Sequence, residues 1–154
     1  MNVLTAIRRW LLALLAFGLV ASALDLVLLE HFEDWRQIIP LAVIGLSLAS
    51  IAWHLAGGGA ASIRALRWCM LASVVAGLAG VVLHFRGNMS FQLDMDPAIA
   101  GWDLFSKVMH AKAPPALAPG AMVQLGLLGL IYTFRHPASE PAGDVPGRPP
   151  QTGA

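Results

Sequence analysis

Asp25 is the residue whose position costs most. It interrupts the apolar run Trp10–Leu29 about five residues, or roughly 7 Å, from its C-terminal end. His84 stands near the C-terminal end of another apolar run, Trp68–Phe85, and Gln124 lies roughly 10 Å inside a third, Leu117–Phe134. Polar groups at hydrocarbon depth are expensive and by default suggest function. Asp25, His84 and Gln124 are expected in one leaflet and form the candidate polar cluster. Glu30, His31, Glu33 and Asp34 follow just beyond Asp25, and Arg36, Arg86 and His110 are expected on the same side.

Two chemistries suit such a group. One is a hydrogen-bonded set that fixes how helices dock. The other is an outward-facing binding or transport site for a small ligand, a proton or a metal. Imidazole with carboxylate takes zinc or copper(II), and thioethers such as Met89, Met95 and Met109 take copper(I). No ligand pair has tight i, i+4 spacing, so neither a metal nor another cofactor is assigned. Cys69 is the single cysteine, which excludes an intrachain disulfide and a Cys-x-x-Cys redox or zinc site. His54 and His84 are expected more than about 15 Å apart along the membrane normal, too far to share a haem. His54 reads as an interfacial residue beside Trp53. No serine–histidine pair is expected at one depth, so no catalytic residue is named and the reading leans away from an enzyme.

The elements that carry these residues follow from hydropathy. Of 154 residues, 57% are hydrophobic and 12% charged, about half the charge of an ordinary soluble domain. Much of the surface must then face lipid. The net charge of +1 offers no field for a polyanion, so nucleic acid is not expected as a partner. Spanning helices need about 20 mostly apolar residues, and four windows qualify: 10–29, 38–55, 68–85 and 117–134. Pro40 is expected in the first turn of the second span and Pro119 in that of the fourth. Gly57-Gly58-Gly59 should end the second. Trp10, Trp35, Trp53 and Trp68 fall near span ends, as an interfacial aromatic belt requires.

The fold class is therefore all-α: a transmembrane four-helix bundle with an extracytoplasmic loop, residues 86–116, carrying one amphipathic interfacial helix. Within that loop, residues 88–95 alternate apolar and polar, the period of an extended segment. Asp96-Pro97 reads as a cap opening a helix that runs to about Lys112. Its apolar residues are Ile99, Trp102, Phe105, Val108 and Met109; Asp103, Lys107 and His110 share the other face. The membrane domain covers 1–135, and the Pro- and Gly-rich tail 136–154 is expected to be disordered.

Arg8, Arg9, Arg64, Arg67, Arg135 and Arg148 fall on one side of this topology, against Arg36, Arg86, Lys107 and Lys112 on the other. The bias places both termini in the cytoplasm of a cell (inner) membrane protein. A competing reading takes residues 1–23 as a cleaved secretory signal ending at Ala21-Ser22-Ala23. Small residues permit close helix approach; Ala72, Ala76 and Gly80, with Ser73 and Gly77 beside them, Gly45 with Ala49, and Gly126 with Gly129 are the expected contact points. Besides the lipid bilayer, the partners this suggests are another membrane protein or a second copy. With no catalytic motif, the leading functional expectation is a non-enzymatic accessory or assembly subunit of a membrane complex.

Overall fold

The computed structural model describes residues 2–30 and 32–139. All regular structure among them is helical: α1 (Val3–Leu28), α2 (Trp35–Leu55), α3 (Gly59–Met95), α4 (Gly101–Met109), α5 (Ala118–Thr133), and a closing 3-10 turn, Pro137–Ser139. Three helices, α1, α2 and α3, are long and apolar enough to cross a membrane. At 16 residues α5 is shorter, about 24 Å against a hydrocarbon core of about 30 Å.

The helix ends have local causes. Asn2 caps α1 by accepting from the Leu4 amide at 3.2 Å, and the helix runs unbroken through Ala21-Ser22-Ala23. In α2 the start lies at Trp35, earlier than the expected Ile38, because Asp34 and Gln37 form a capping box. The Asp34 carboxylate accepts from the Arg36 amide, and the Gln37 side-chain oxygen accepts from the Glu33 and Asp34 amides. Pro40 consequently lies inside the helix, beyond the first turn where it was expected, and α2 forgoes one backbone hydrogen bond there. The connection to α3 is only Ala56, Gly57 and Gly58; Gly57 and the first residue of α3, Gly59, both take positive φ (93° and 55°), conformations that favour glycine.

The largest departure from expectation is α3. Its 37 residues run about 55 Å, so the expected extended segment 88–95 is its last turns. Eight alternating residues are compatible with either period, and packing decided. Asn88, Met89, Gln92 and Leu93 are the half-buried ones, which is helical spacing. The Asn88 amide is turned inward and donates to the Val108 carbonyl at 3.2 Å and the Ala113 carbonyl at 2.9 Å. That double bond ties α3 to the end of α4. The helix expected from Asp96-Pro97 to Lys112 is also shorter. Asp96 caps the C-terminus of α3, its side chain accepts from the Ala98 amide, and α4 begins only at Gly101, with φ 59°. In α4, Val108 is fully buried while Trp102 and Phe105 pack on each other on the exposed side.

α1 packs on α2 and α5; α3 packs on α2, on α4 and, most extensively, on α5. The core runs through Leu15, Leu19, Ile44, Ile63, Leu66 and Met70, all essentially fully buried. Glycines set the closest approaches. A Cβ on Gly126 would meet the Met70 carbonyl oxygen and Val74, and one on Gly77 would meet the Pro119 carbonyl oxygen and Val123. These pairs fix α3 and α5 as antiparallel. The expected contact stripe is thereby shifted: Ser73 and Gly77 are buried, Gly80 touches Pro119, and Ala72 is exposed. On α2 the inward face is Ile44, Ser47, Ser50 and Ile51, so Gly45 and Ala49 point outward.

Candidate functional site

The residues of the expected outer cluster differ in exposure. Asp25 and Gln124 are exposed and His84 is half-buried. The backbones of α1, which carries Asp25, and α3, which carries His84, do not approach each other closely. Depth can be read from the helix register. Gly18 faces Leu125 and Gly129 faces Leu15, which sets Asp25 near the level of Pro119; Pro119 in turn faces Gly77 and Gly80. Asp25 and His84 are thus within about one helical turn of each other in depth, and Gln124 lies roughly 8 Å deeper than Asp25. Of the flanking candidates, Asp34 is spent on capping α2, Arg36 lies over the Trp35 ring, and the His110 ring is held by the Ser106 carbonyl. Glu30 is exposed with φ 53°, Glu33 contributes its amide to the capping box, Arg86 is exposed, and His31 lies outside the described residues. No group of three or more His, Cys, Asp or Glu side chains that could hold a metal occurs among the described residues.

The polar side chains that do converge are at the opposite end, where α5 stops. A helix leaves its last carbonyls without partners, and cations satisfy them well. Arg67, from α3, donates to the Thr133 carbonyl at 2.7 Å, and Arg8, from α1, donates to the Arg135 carbonyl at 2.9 Å. Arg135 has φ 43°, an uncommon value for a side-chain-bearing residue, and the chain reverses there. The reversal folds His136 back onto His54 and Tyr132. The His54–His136 ring centroids are 5.0 Å apart, Tyr132–His136 5.1 Å and His54–Tyr132 6.0 Å. His136 and the 3-10 turn after it are accordingly part of the folded unit, whereas residues 136–139 were expected in a disordered tail. Residues 140–154 lie outside the described residues.

Proton positions in this cluster follow from its partners. The Ser62 hydroxyl donates to the Gly59 carbonyl at 2.8 Å, so it accepts from His54 Nδ1 at 3.1 Å. His136 Nδ1 accepts from the Ala138 amide, which leaves its proton on Nε2. Burial first, then the proximity of His54 and the Arg8 guanidinium, push the His136 pKa down to about 4. It is neutral at physiological pH. Arg8 Nε and Nη1 are buried and have no hydrogen-bond partner among the described residues.

A serine–histidine pair therefore exists, against expectation, but its polarity is wrong for nucleophile activation. An attacking serine must donate to the imidazole, whereas Ser62 receives. The arrangement closes one end of the helix assembly: the Arg67 guanidinium satisfies the last carbonyl of α5, Arg8 holds the carbonyl of Arg135 just beyond it, and three rings fill the gap. The place of His54 beside Trp53 at a span end gives only an interfacial residue, since Tyr132 and His136 are some eighty residues away in the chain. One available signal was that Arg8, Arg67, Arg135, His54 and His136 were all expected at the same end.

No family model, curated protein or solved structure matches the chain. What fold and site define is a class: an all-helical protein with three helices long and apolar enough to cross a membrane.

Proposed function

We propose that this protein is a transmembrane four-helix bundle of the cell (inner) membrane that acts as a non-enzymatic accessory or assembly subunit, docking through the outward face of α2. In this reading α5 completes the bundle as a fourth span and α4 lies at the outer interface. Both termini are cytoplasmic, in keeping with the arginines gathered at the α5 C-terminal end. One observation carries the docking role. Ala42, Gly45, Ala49, Ala52 and Ala56 recur at alternating three- and four-residue spacing, and all five are exposed. Gly18, Gly77, Gly126 and Gly129 each abut a neighbouring helix, while a Cβ on Gly45 would meet nothing within 4 Å. Lipid supplies no hydrophobic drive for helix association, so a flat face of this kind is where another helix packs closest.

The test is disulfide or photo-cross-linking from positions 45 and 49 in native membranes, with Cys69→Ala as background. A discrete adduct to a second, different membrane protein is expected, lost in Gly45→Leu. Adducts to lipid alone would remove the reading, and adducts only to a second copy would replace the partner with a homo-oligomer.

A second reading, an outward-facing small-ligand, proton or metal site using Asp25, His84 and Gln124, is favoured by the similar depth of Asp25 and His84. Metal analysis and proton-flux assays on purified protein test it, with Asp25→Asn and His84→Ala. The absence of both a bound species and a flux that responds to these changes would discard it.

A further inference from the structure

Where the outer part of α3 passes α4 and the segment leading into α5, the surface opens into a cavity of about 370 Å³. Val82, Phe85 and Met89 line it from α3, and Met109 and Pro115 line it from across the cleft. The wall is almost wholly apolar, and its size is at the lower end of the roughly 300–1,000 Å³ of small-ligand pockets. The far wall is firmly placed. Pro115 is fully buried, and the Asn88 amide holds the carbonyls of Val108 and Ala113. The two methionines supply a surface that adapts to a flexible chain.

One charge belongs to this cavity. Arg86 is part of its lining, is exposed, and makes no hydrogen bond or ion pair with any described residue. It lies one residue beyond the expected membrane-spanning part of α3, where lipid headgroups are expected. On the lipid side, Trp102 is 75% exposed and packs on Phe105, which also touches Phe85. Exposed aromatic rings of this kind mark an interfacial helix. An apolar cleft on a surface expected to face hydrocarbon, headed by one guanidinium with no ion pair among the described residues, is complementary to one kind of molecule: a long acyl chain carrying an anionic phosphate group.

We propose that this cleft is a binding site for an anionic phospholipid of the leaflet facing the α1–α2 connection. Its acyl chain lies along Val82, Phe85 and Met89, and its phosphate accepts from Arg86. Guanidinium suits the phosphate because it can offer two parallel N–H donors. The proposal is independent of the docking role given to α2, which uses another helix.

Full-length protein in nanodiscs, probed with spin-labelled phosphatidylglycerol and phosphatidylcholine, tests it. The wild type should prefer phosphatidylglycerol by about fivefold, the weight of one basic residue at a membrane surface. Arg86→Gln should bring the ratio to about one. Ala116→Phe and Val82→Phe, both at exposed lining positions, should lower the motionally restricted fraction of either lipid. Lys112→Gln, a nearby cation outside the lining, should change nothing. An equal loss in Lys112→Gln would show diffuse attraction and overturn the site. So would an undiminished restricted fraction in both filled variants, or Arg86-dependent binding of spin-labelled stearate without phosphatidylglycerol preference.

Discussion

Substituting alanine at four glycines in turn separates backbone-limited packing from open space. At Gly126 the new Cβ would fall 2.8 Å from the Met70 carbonyl oxygen and 3.0 Å from the Val74 nitrogen. At Gly77 it would fall 2.7 Å from the Pro119 carbonyl oxygen and 2.9 Å from the Val123 nitrogen. Backbone atoms cannot rotate away, so α3 and α5 must separate by several tenths of an ångström, and overpacking of this kind costs about 1–3 kcal/mol. Alanine recovers about 0.5–1 kcal/mol of helix propensity at each site. Gly126→Ala and Gly77→Ala should therefore each destabilise by about 1–2 kcal/mol. At Gly129 the obstruction is Met70 Cγ and Sδ, which are buried in the core with Leu15 beside them, so Gly129→Ala should also cost about 1–3 kcal/mol. Gly45→Ala meets nothing and should be neutral or stabilising by up to about 1 kcal/mol. Because positions 77 and 126 hold the same two helices apart, the double variant should lose less than the sum of the singles. Unfolding by a denaturing detergent titrated into mild micelles, followed by far-ultraviolet circular dichroism, reads all five variants. Gly126→Ala as stable as wild type, or Gly45→Ala as damaging as Gly77→Ala, would refute the assigned helix faces.

Two further outcomes follow from the polar side chains. His136 binds its proton at about pH 4 when folded and near its ordinary value of 6.5 when unfolded. The unfolded chain binds more protons between these values, so stability should fall as pH drops from about 6.5 to 4 and level off below. Because the ring is only partly buried, the loss should be about 1–2 kcal/mol, and a midpoint titration of His136→Phe should be flatter in that window; equal pH dependence in variant and wild type would contradict it. Asn88→Ala removes the bonds to α4 and to the segment after it, and amide exchange in residues 101–113 should rise about tenfold while α1 and α2 are unchanged; unaltered exchange there would mean that apolar contacts such as those of Val108 and Phe105 suffice to hold α4.

Much of this architecture is written in local sequence. The apolar runs, the turn at Gly57–Gly59, the Asp34 cap and the break at Pro114-Pro115 need only backbone chemistry and hydropathy, which are short-range. That is why α1, α2 and α5 lie within a few residues of expectation at most of their ends. What tertiary structure decided is which face each helix turns inward and how far α3 extends. Residues 88–95 carry a pattern compatible with two periods, and the choice fell to Asn88 reaching carbonyls twenty and twenty-five positions away. The polar cluster followed the same logic. Asp25, His84 and Gln124 share a leaflet by counting residues, yet rotation about each helix axis, set by glycine contacts elsewhere, turned Asp25 and Gln124 outward. Arg8, His54, Tyr132 and His136 came together because the chain turns at Arg135 after α5, where guanidinium groups from α3 and α1 hold the Thr133 and Arg135 carbonyls. Depth in a membrane is a one-dimensional property that sequence carries directly; azimuth depends on every neighbour at once.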